Sequence, residues 1–322
     1  MKPGAWLMTA LIAFALAGQA LAAGGGKPVE GFVDTRDGRV FYRIHGQGKP
    51  GLPLLVVHGG PGANMQYLRP LAALADQRPV IFYDQLGGGD SDRPDDPALW
   101  NTARFVDELD QVRRALGLRR LFIVGQSWGA MLATQYVLSH GQEGVAGLIL
   151  SGPLLSAPRW IADQRLLLAQ TPPAIRQAVE KAEAAQSYDS PEYQRAMDVY
   201  YRRHLCRLDP WPDFLQESFA RLALPVYLAM WGPSEFTCLG SLKEQDLSPR
   251  LGELLMPVLY VCGRFDEARP ETVGWFAAQT PQGRLVVIEG ASHSHHAERP
   301  EQFNQALRDF MAEVEASHRP LK

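Results

Sequence analysis

The chain has 322 residues, 46% of them hydrophobic, and 32 Lys and Arg residues stand against 35 Asp and Glu residues, a formal net charge of −3. This apolar content is enough for one large domain, or for a domain with an inserted lobe. The charge is nearly balanced and forms no block of one sign, which argues against a nucleic-acid-binding surface and against an acidic tail. Composition therefore favours chemistry on small molecules or peptides.

The first 22 residues have the three parts of a secretory signal peptide. Lys2 supplies a positive start, residues 6–16 are mostly apolar, and residues 20–22 read Ala-Leu-Ala, a small-x-small cleavage site. An uncleaved membrane anchor is the alternative, but the apolar run is short for a bilayer span. We therefore predict a mature chain that begins near Ala23, is periplasmic or secreted, and has no stable membrane association after cleavage.

The three cysteines are too few for a disulfide framework, and their odd number leaves at least one thiol unpaired. Cys262 ends a predicted core strand, so we expect it to be buried and reduced. A bridge between Cys206 and Cys238 stays open, because it requires Cα atoms within roughly 7 Å and the sequence gives no such distance.

The first half of the chain alternates short apolar runs with helical periodicity. A hairpin is predicted over residues 31–35 and 40–45, strands over 52–57, 80–83, 121–124 and 145–150, and helices over 105–116 and 131–139. This alternation is typical of an α/β protein with a mostly parallel sheet and helices on both faces.

The alternation stops after residue 155. Residues 156–247 show no clear strand pattern and have helical stretches near 174–186, 192–207 and 211–222. Strand patterns return at 257–262 and 285–288, with helices near 271–278 and 300–313. We predict a helical cap over residues 156–247, inserted into a core domain made of residues 23–155 and 248–322.

A candidate nucleophile lies where the predicted strand at 121–124 meets the following helix. Residues 125–129 read GQSWG, the G-x-S-x-G pattern of a nucleophile elbow, in which a serine occupies a sharp strand-to-helix turn. The two glycines are needed where one chain segment closely approaches another. An ordinary turn that happens to contain a serine is the alternative, so further residues must decide.

Two glycine-rich loops follow other strands at the same edge of the predicted sheet. Residues 58–62 read HGGPG, and the backbone N–H of Gly59 or Gly60, together with that of Trp128, can hold an oxyanion. A plain Gly/Pro turn is the alternative. Asp84 begins the second loop, and we expect it to tie loops together through backbone N–H groups rather than to act in catalysis.

A serine hydroxyl needs a base, and the base needs a carboxylate that orients it. In the chain order serine, acid, histidine, the loops after the last two predicted strands offer Asp266 and His293 as partners of Ser127. His295 and His296 are rivals for the base. Three histidines also raise the question of a metal, but no cluster of further ligands accompanies them, so we predict neither a metal nor another cofactor. The predicted chemistry is acyl transfer through an acyl-enzyme.

Five segments resemble the proline iminopeptidase (prolyl aminopeptidase) family over nearly the whole mature chain: HGGPG at 58–62, YDQLGGGDS at 83–91, GQSWGA at 125–130, WGPSEF at 231–236 and GRFDEARP at 263–270. The resemblance implies an α/β-hydrolase with a helical cap that removes an N-terminal residue, often proline, from peptides without a metal or organic cofactor. It implies the triad Ser127, Asp266 and His293, and it makes Glu235 and Glu267 the groups that hold the free amine of the peptide.

The sequence departs from the family at two points. The family commonly has a basic residue before the serine of the second loop, where this chain has Asp90, and exported members are less usual than cytoplasmic ones. An esterase, lactonase or amidase of the same fold remains an alternative, because a triad alone does not select the substrate. A non-catalytic binding protein of this fold is less consistent with complete triad positions. The preferred first residue, the peptide length and the oligomeric state do not follow from the sequence.

Overall fold

The protein is described by a computed structural model that covers residues 26–317. The predicted signal peptide over residues 1–22 lies outside the described residues and stays a prediction. The described chain contains eight strands in one sheet. They are β1 (Val29–Thr35), β2 (Gly38–His45), β3 (Leu54–Val57), β4 (Val80–Tyr83), β5 (Leu121–Gln126), β6 (Val145–Ser151), β7 (Val258–Gly263) and β8 (Gly283–Ile288).

The sheet has the order β1-β2-β4-β3-β5-β6-β7-β8. Strands β1 and β2 pair antiparallel, β2 pairs antiparallel with β4, and all pairs from β4 to β8 are parallel. Every residue of β3 to β7 is buried, as expected for strands that are covered on both faces. The predicted mostly parallel sheet is therefore confirmed.

Ten α-helices are found between residues 26 and 317: α1 (Thr102–Ala115), α2 (Trp128–His140), α3 (Ala157–Ala169), α4 (Pro173–Ala185), α5 (Pro191–His204), α6 (Asp213–Ala220), α7 (Leu224–Met230), α8 (Pro270–Gln279), α9 (His295–Glu298) and α10 (Pro300–Ser317). Shorter 3-10 helices cover Met65–Asp76, Pro97–Leu99 and Ser248–Glu253. The sequence had not predicted helices over α3, α7 or Met65–Asp76.

Alternate residues of the strands face two separate apolar clusters, because successive side chains of a strand point to opposite faces. On one face, Leu55 and Val57 of β3 belong to a cluster with side chains of α1, α2 and α8. On the other face, Leu54 and Val56 join side chains of α10 and of the 3-10 helix Met65–Asp76. The two clusters hold the carboxyl ends of the parallel strands at one edge, where the polar loops meet.

Between β6 and β7 the chain forms only helices and irregular segments, from α3 to the 3-10 helix Ser248–Glu253. Helices α3, α4 and α5 contribute to a third apolar cluster, which includes Val179, Tyr193 and Tyr200. The helical character of this region agrees with the sequence prediction. The division into a cap over residues 156–247 and a core on either side of it stays a prediction.

All three cysteines lie within the described residues, and all are buried and unpaired. The expectation for Cys262 is confirmed, and the open Cys206–Cys238 bridge is not formed. Burial raises the pKa of the Cys206 and Cys238 thiols to about 12. Within residues 26–317, none of the helices combines the length and the apolar character that crossing a membrane requires.

Candidate active site

The nucleophile elbow is built by one residue between β5 and α2. Ser127 has φ 55° and ψ −120°, a conformation that L-residues rarely adopt outside functional turns. A Cβ on Gly129 would lie 2.2 Å from the carbonyl oxygen of Val57, and a Cβ on Gly125 would lie 2.2 Å from that of Gly129. The predicted steric role of the two motif glycines is confirmed.

Asp266 and His293 meet in the loops after β7 and β8. His293 Nδ1 lies 2.7 Å from Asp266 Oδ1, which also accepts from the Ala268 N–H at 2.8 Å, while Oδ2 accepts from the Gly263 N–H at 3.1 Å. Burial alone would raise the pKa of Asp266, but the charges of His293 and His295 and the hydrogen bonds to both rings together hold the pKa well below its usual value. The acid is therefore ionised at neutral pH.

The imidazole of His293 is buried but faces a carboxylate. Burial alone would lower the pKa of His293, and the charge of Asp266 and the hydrogen bond to it raise the pKa above the ordinary value. Behind the ring, Gly152 at the end of β6 has φ +50°, and a Cβ there would come within 2.7 Å of His293 Nδ1. The absence of a side chain at residue 152 is what leaves room for the ring.

The two rival histidines make different contacts. His295 Nε2 bonds Ser151 Oγ at 2.7 Å, and His295 Nδ1 faces the Ser292 carbonyl at 3.1 Å and Asp266 Oδ2 at 3.5 Å. His296 is buried, and neither of its ring nitrogens has a hydrogen-bond partner in the described chain. His295 thus supports Asp266 from the side opposite His293. In the described range, no group of three or more His, Cys, Asp or Glu side chains forms a candidate metal site.

Gln126, the variable residue of the elbow motif, holds the free nitrogen of the base. Its Nε2 lies 2.9 Å from His293 Nε2, and its Oε1 accepts from the Tyr67 hydroxyl at 2.6 Å. Because the tyrosine donates to the amide oxygen, the amide nitrogen donates to His293 Nε2, and the imidazole proton lies on Nδ1. This is the tautomer that a general base needs. The sequence analysis did not identify Gln126 or Tyr67 as site residues.

The predicted oxyanion donors are the backbone N–H of Gly59 or Gly60 and that of Trp128. The backbone N–H of Gly59 already donates to the Tyr67 hydroxyl at 2.6 Å, so the prediction that Gly59 contributes a donor does not fit. The N–H groups of Gly60 and Trp128 have no acceptor among the described residues. Gly60 and Trp128 therefore remain the candidates for an oxyanion hole beside Ser127.

The two glycine-rich loops are tied together by Asp84 and Gln85. Asp84 accepts from the backbone N–H of Met65 at 2.7 Å and of Asp90 at 2.8 Å, so its predicted structural role is confirmed. The Gln85 side chain donates to the His58 carbonyl at 2.7 Å and accepts from the Trp128 indole at 3.0 Å. The loops that carry the candidate oxyanion donors are thus fixed to each other.

A cavity of about 210 Å³ opens onto this constellation, and its lining includes Ser127, His293, Gly60 and Glu235. Glu235 is half-buried, and its Oε1 accepts from the Tyr227 hydroxyl at 2.7 Å. Burial raises the pKa of Glu235, while the bond from Tyr227 and the charge of His293 oppose that rise. One of the two predicted amine-binding carboxylates therefore lines the same cavity as the serine.

The surroundings of Glu235 are aromatic. The Tyr201 hydroxyl accepts from the Glu235 N–H at 3.3 Å, and the indole of Trp160 donates to the Glu235 carbonyl at 3.0 Å. The Trp160 ring also lies 5.8 Å from the His293 ring. Tyr201 lies in a cap helix that the sequence predicted, whereas Trp160 lies in α3, which it did not predict, and the sequence analysis gave neither residue a role in the site.

Glu267, the second predicted amine-binding residue, is fully buried beside the triad. Its Oε1 lies 3.7 Å from His293 Nε2, and neither carboxylate oxygen has a hydrogen-bond partner in the described part of the chain. Burial raises its pKa well above the ordinary value, and the charges of Glu235 and Asp266 raise the pKa further. A buried carboxyl group without a partner is costly, and a bound cation would compensate it.

Comparisons with known proteins agree with this arrangement. The family described as "alpha/beta hydrolase fold" matches residues 53–300. A proline iminopeptidase of Heyndrickxia coagulans is 42% identical over 287 residues, which cover 88% of this chain and 99% of that protein. The solved structure of a proline iminopeptidase from Mycobacterium smegmatis is 34% identical with a TM-score of 0.83, and the match covers 90% of this chain and 100% of that one.

The solved structure of VinJ is similar to the same degree, with 34% identity and a TM-score of 0.84 over 89% of this chain and 99% of that one. Similarity of this extent, over nearly the full length of each relative, goes beyond a shared sheet and includes the helical region between β6 and β7. The resemblance read from the five motifs is confirmed: the chain belongs to the proline iminopeptidase family of α/β-hydrolases and is a serine hydrolase.

Proposed function

We propose that this enzyme is a prolyl aminopeptidase that releases an N-terminal residue, preferentially proline, from peptides with a free N-terminus. The observation that carries the proposal is Glu267: a fully buried carboxyl group with no hydrogen-bond partner among the described residues, 3.7 Å from His293 Nε2 and close enough to Glu235 for that charge to raise its pKa. A neutral ester would leave this group unpaired. The ammonium of an N-terminal residue would pair with it.

Catalysis begins with Ser127 and ends with Ser127 restored. His293 Nε2 takes the hydroxyl proton as Ser127 Oγ attacks the peptide carbonyl, and Asp266 stabilises the imidazolium. The N–H groups of Gly60 and Trp128 hold the oxyanion. The C–N bond then breaks, and the leaving nitrogen takes the proton from His293. Water, deprotonated by the same histidine, cleaves the acyl-enzyme and releases the free amino acid.

The serine and the base must come into contact for the first step. In the unliganded site His293 Nε2 accepts from the Gln126 amide, and Ser127 lines the cavity. Gln126 therefore keeps the lone pair of the base directed into the site until the Ser127 hydroxyl replaces the amide. The Tyr67 hydroxyl holds the other end of this amide, which limits the orientations that Gln126 can take.

Substrate selection follows from the position of the acids. The ammonium and the carbonyl carbon of an N-terminal residue are two bonds apart, so a positive charge held by Glu235 and Glu267 places the carbonyl beside Ser127. This fixed distance explains removal of a single residue, because only the first peptide bond lies that close to the ammonium. A peptide whose N-terminus is acylated would bring no positive charge to the two acids. An esterase, lactonase or amidase would use the same triad without needing either carboxylate.

The test measures how fast the wild-type enzyme cleaves three p-nitroanilides, those of free-amine proline, N-acetyl-proline and free-amine leucine. Loss of a desolvated charge pair typically costs on the order of 2 to 5 kcal/mol, so kcat/KM for the free-amine proline substrate should exceed that for the acetylated one by roughly 30-fold or more. The leucine substrate should be cleaved more slowly than the proline substrate. Equal cleavage of free and acetylated proline would favour an amidase or esterase instead.

We also propose that the protein is exported and acts in the periplasm or outside the cell. Support comes from the positive, apolar and small-residue parts of residues 1–22. Mass spectrometry of the native protein should find an N-terminus near Ala23. An intact Met1 on protein from the cytoplasmic fraction would contradict export.

A further inference from the structure

The cavity at Ser127 has two chemically different parts. Near Glu235 it is lined by the Tyr201 and Tyr227 rings. The other part is formed by apolar side chains of α6, of α7 and of the segment that joins them. We call this group the α6–α7 wall, and it consists of Leu215, Phe219, Leu222, Leu224 and Leu228.

The α6–α7 wall adjoins the loop that carries Gly60. The Asn64 side chain donates to the Ser218 carbonyl at 3.0 Å and accepts from the Ser218 hydroxyl at 2.9 Å, and the Ala223 N–H donates to the Gly62 carbonyl at 2.8 Å. Glu267 lies instead beside His293. The wall and the carboxylates therefore border different parts of the catalytic site.

The first residue of the substrate does not extend into the wall. The side chain of proline closes back onto its own amine nitrogen, so the whole ring stays close to the ammonium and thus to Glu235. Around the carbonyl carbon of the tetrahedral intermediate, the remaining positions are the oxyanion, Ser127 Oγ and the leaving nitrogen. When the N–H groups of Gly60 and Trp128 hold the oxyanion, the substrate residue that follows the leaving nitrogen lies against the α6–α7 wall.

The wall also exposes apolar side chains to solvent. Phe219, Leu224 and Leu228 are 37%, 56% and 51% exposed, although all three line one cavity. Covering them with an apolar side chain removes apolar surface from water on both partners. The described lining contains no Lys or Arg, so an acidic side chain would lose its hydration there without gaining a Lys or Arg partner.

We infer that the α6–α7 wall is the subsite for the residue that follows the scissile bond, and that it selects a bulky apolar side chain there. The substrates are then peptides that begin with proline followed by a residue such as phenylalanine or leucine. This inference rests on the proposed aminopeptidase function and adds the second residue of the substrate to it.

The first measurement uses the mature wild-type enzyme and four dipeptide amides, Pro-Phe-NH2, Pro-Leu-NH2, Pro-Gly-NH2 and Pro-Asp-NH2, with released proline as the readout. Since burial of a large apolar side chain is worth about tenfold or more in binding, kcat/KM for Pro-Phe-NH2 should exceed that for Pro-Gly-NH2 by roughly 10-fold or more. Pro-Asp-NH2 should be the poorest of the four.

The second measurement places the preference on the wall. Leu228→Ser and Phe219→Ser should each reduce the Phe-over-Gly ratio by about 3-fold or more, since each removes part of the apolar contact. Leu166→Ser is the matched control, because Leu166 is 52% exposed, much like Leu228, and lies on α3 outside the cavity lining. Thermal unfolding of all variants checks that the fold is kept.

Equal cleavage of Pro-Phe-NH2 and Pro-Gly-NH2, or an unchanged ratio in both wall variants, would overturn the subsite while leaving the aminopeptidase function in place. Phe- and Pro-p-nitroanilide have the same leaving group and differ only in the first residue, so they test whether the wall holds the first residue instead. In the contrary outcome, Leu228→Ser would lower the kcat/KM ratio of Phe- over Pro-p-nitroanilide and leave the Phe-over-Gly ratio of the dipeptide amides unchanged. That result would place the first residue of the substrate on the wall, against the inference. Failure to cleave any of these substrates would overturn the proposed function together with the inference.

Discussion

The triad lies beside Glu235 and Glu267, which we call the acidic pocket, but the polar atoms of the two groups differ in how completely they are paired. Asp266 accepts two backbone N–H bonds and one from His293, and both nitrogens of His293 are hydrogen-bonded. Glu267 has no hydrogen-bond partner within residues 26–317. The acid and base of the triad are thus hydrogen-bonded within the protein, whereas Glu267 lacks such a partner, and in the proposed function the ammonium of the substrate supplies it.

Such a difference is expected when structure and function make opposite demands. A paired carboxylate such as Asp266 costs the fold little, whereas the unpaired Glu267 must be compensated by the packing around it. The aromatic residues around Glu235 form apolar surroundings, in which a contact with the proposed cation would be stronger than in water. In the proposed function, the acidic pocket is thus the part of the molecule in which stability is given up for recognition of the substrate amine.

The largest effect is expected at the triad, which serves every substrate alike. Ser127→Ala and His293→Ala should each lower turnover on the order of 10⁴-fold or more, for a prolyl anilide and for a neutral ester. Circular dichroism should show an unchanged fold. His296→Ala, which removes an imidazole without hydrogen-bond partners in the described structure, should not cause such a loss. A comparable loss in a folded His295→Ala or His296→Ala protein would contradict the choice of base.

The second largest effect on activity is expected from filling the space that Gly152 leaves behind the His293 ring. In Gly152→Ala the new Cβ would meet the ring at 2.7 Å, and a displacement of about 1 Å can cost roughly 10²-fold in rate. Gly117→Ala is the matched control, since Gly117 also has a positive φ, +65°, but no atom lies within 4 Å of its Cβ position. Both substitutions should cost about 1–2 kcal/mol of backbone strain, and only Gly152→Ala should lose activity. Equal activities would show that the ring has space to move.

The smallest effect is a change of stability with pH, which isolates the acidic pocket. Because burial and the charge of Glu235 raise the pKa of Glu267, the folded chain keeps a proton that the unfolded chain has lost, and the free energy of unfolding falls as pH rises above the ordinary value of 4.5. Glu267→Gln cannot titrate. Its Tm relative to wild type should therefore rise from pH 5 to pH 8, by about 2 °C or more.

The exposed Glu244 provides the control for this change, since Glu244→Gln removes a carboxyl group from the surface and not from the acidic pocket. The Glu267→Gln protein should at the same time lose activity on free-amine substrates. A difference in Tm that stays constant between pH 5 and pH 8, or a variant that becomes less stable at pH 8, would mean that the Glu267 carboxyl group is already compensated in the free enzyme.

The sequence predicted those parts of the site whose chemistry depends on local geometry. Gly125, Ser127 and Gly129 are dictated by one tight turn, and Asp266 and His293 lie in the short loops after β7 and β8. Glu235 and Glu267 came only from the family resemblance, because nothing in their spacing shows that their side chains approach one another.

The remaining contacts depend on tertiary packing that leaves no local pattern. Tyr67 lies in the 3-10 helix Met65–Asp76, which contains Pro70 and therefore lacks an ordinary helical pattern. Tyr201 lies in a cap helix that the sequence predicted and Tyr227 in α7, which it did not predict, and no local pattern shows that their hydroxyls contact Glu235. Gln126 stood inside the recognised motif, and its position before the nucleophile was the one local indication that could have suggested a role.

The measurement that tests the account most directly compares Glu235→Gln with wild type on two substrates, prolyl p-nitroanilide and the neutral ester p-nitrophenyl acetate. Both use the triad, and only the first brings an ammonium to the acids. The ratio of kcat/KM values, anilide over ester, should fall by roughly 30-fold or more in the variant, because one partner of a desolvated charge pair has been removed. An equal loss on both substrates would contradict recognition of the free amine by the acidic pocket.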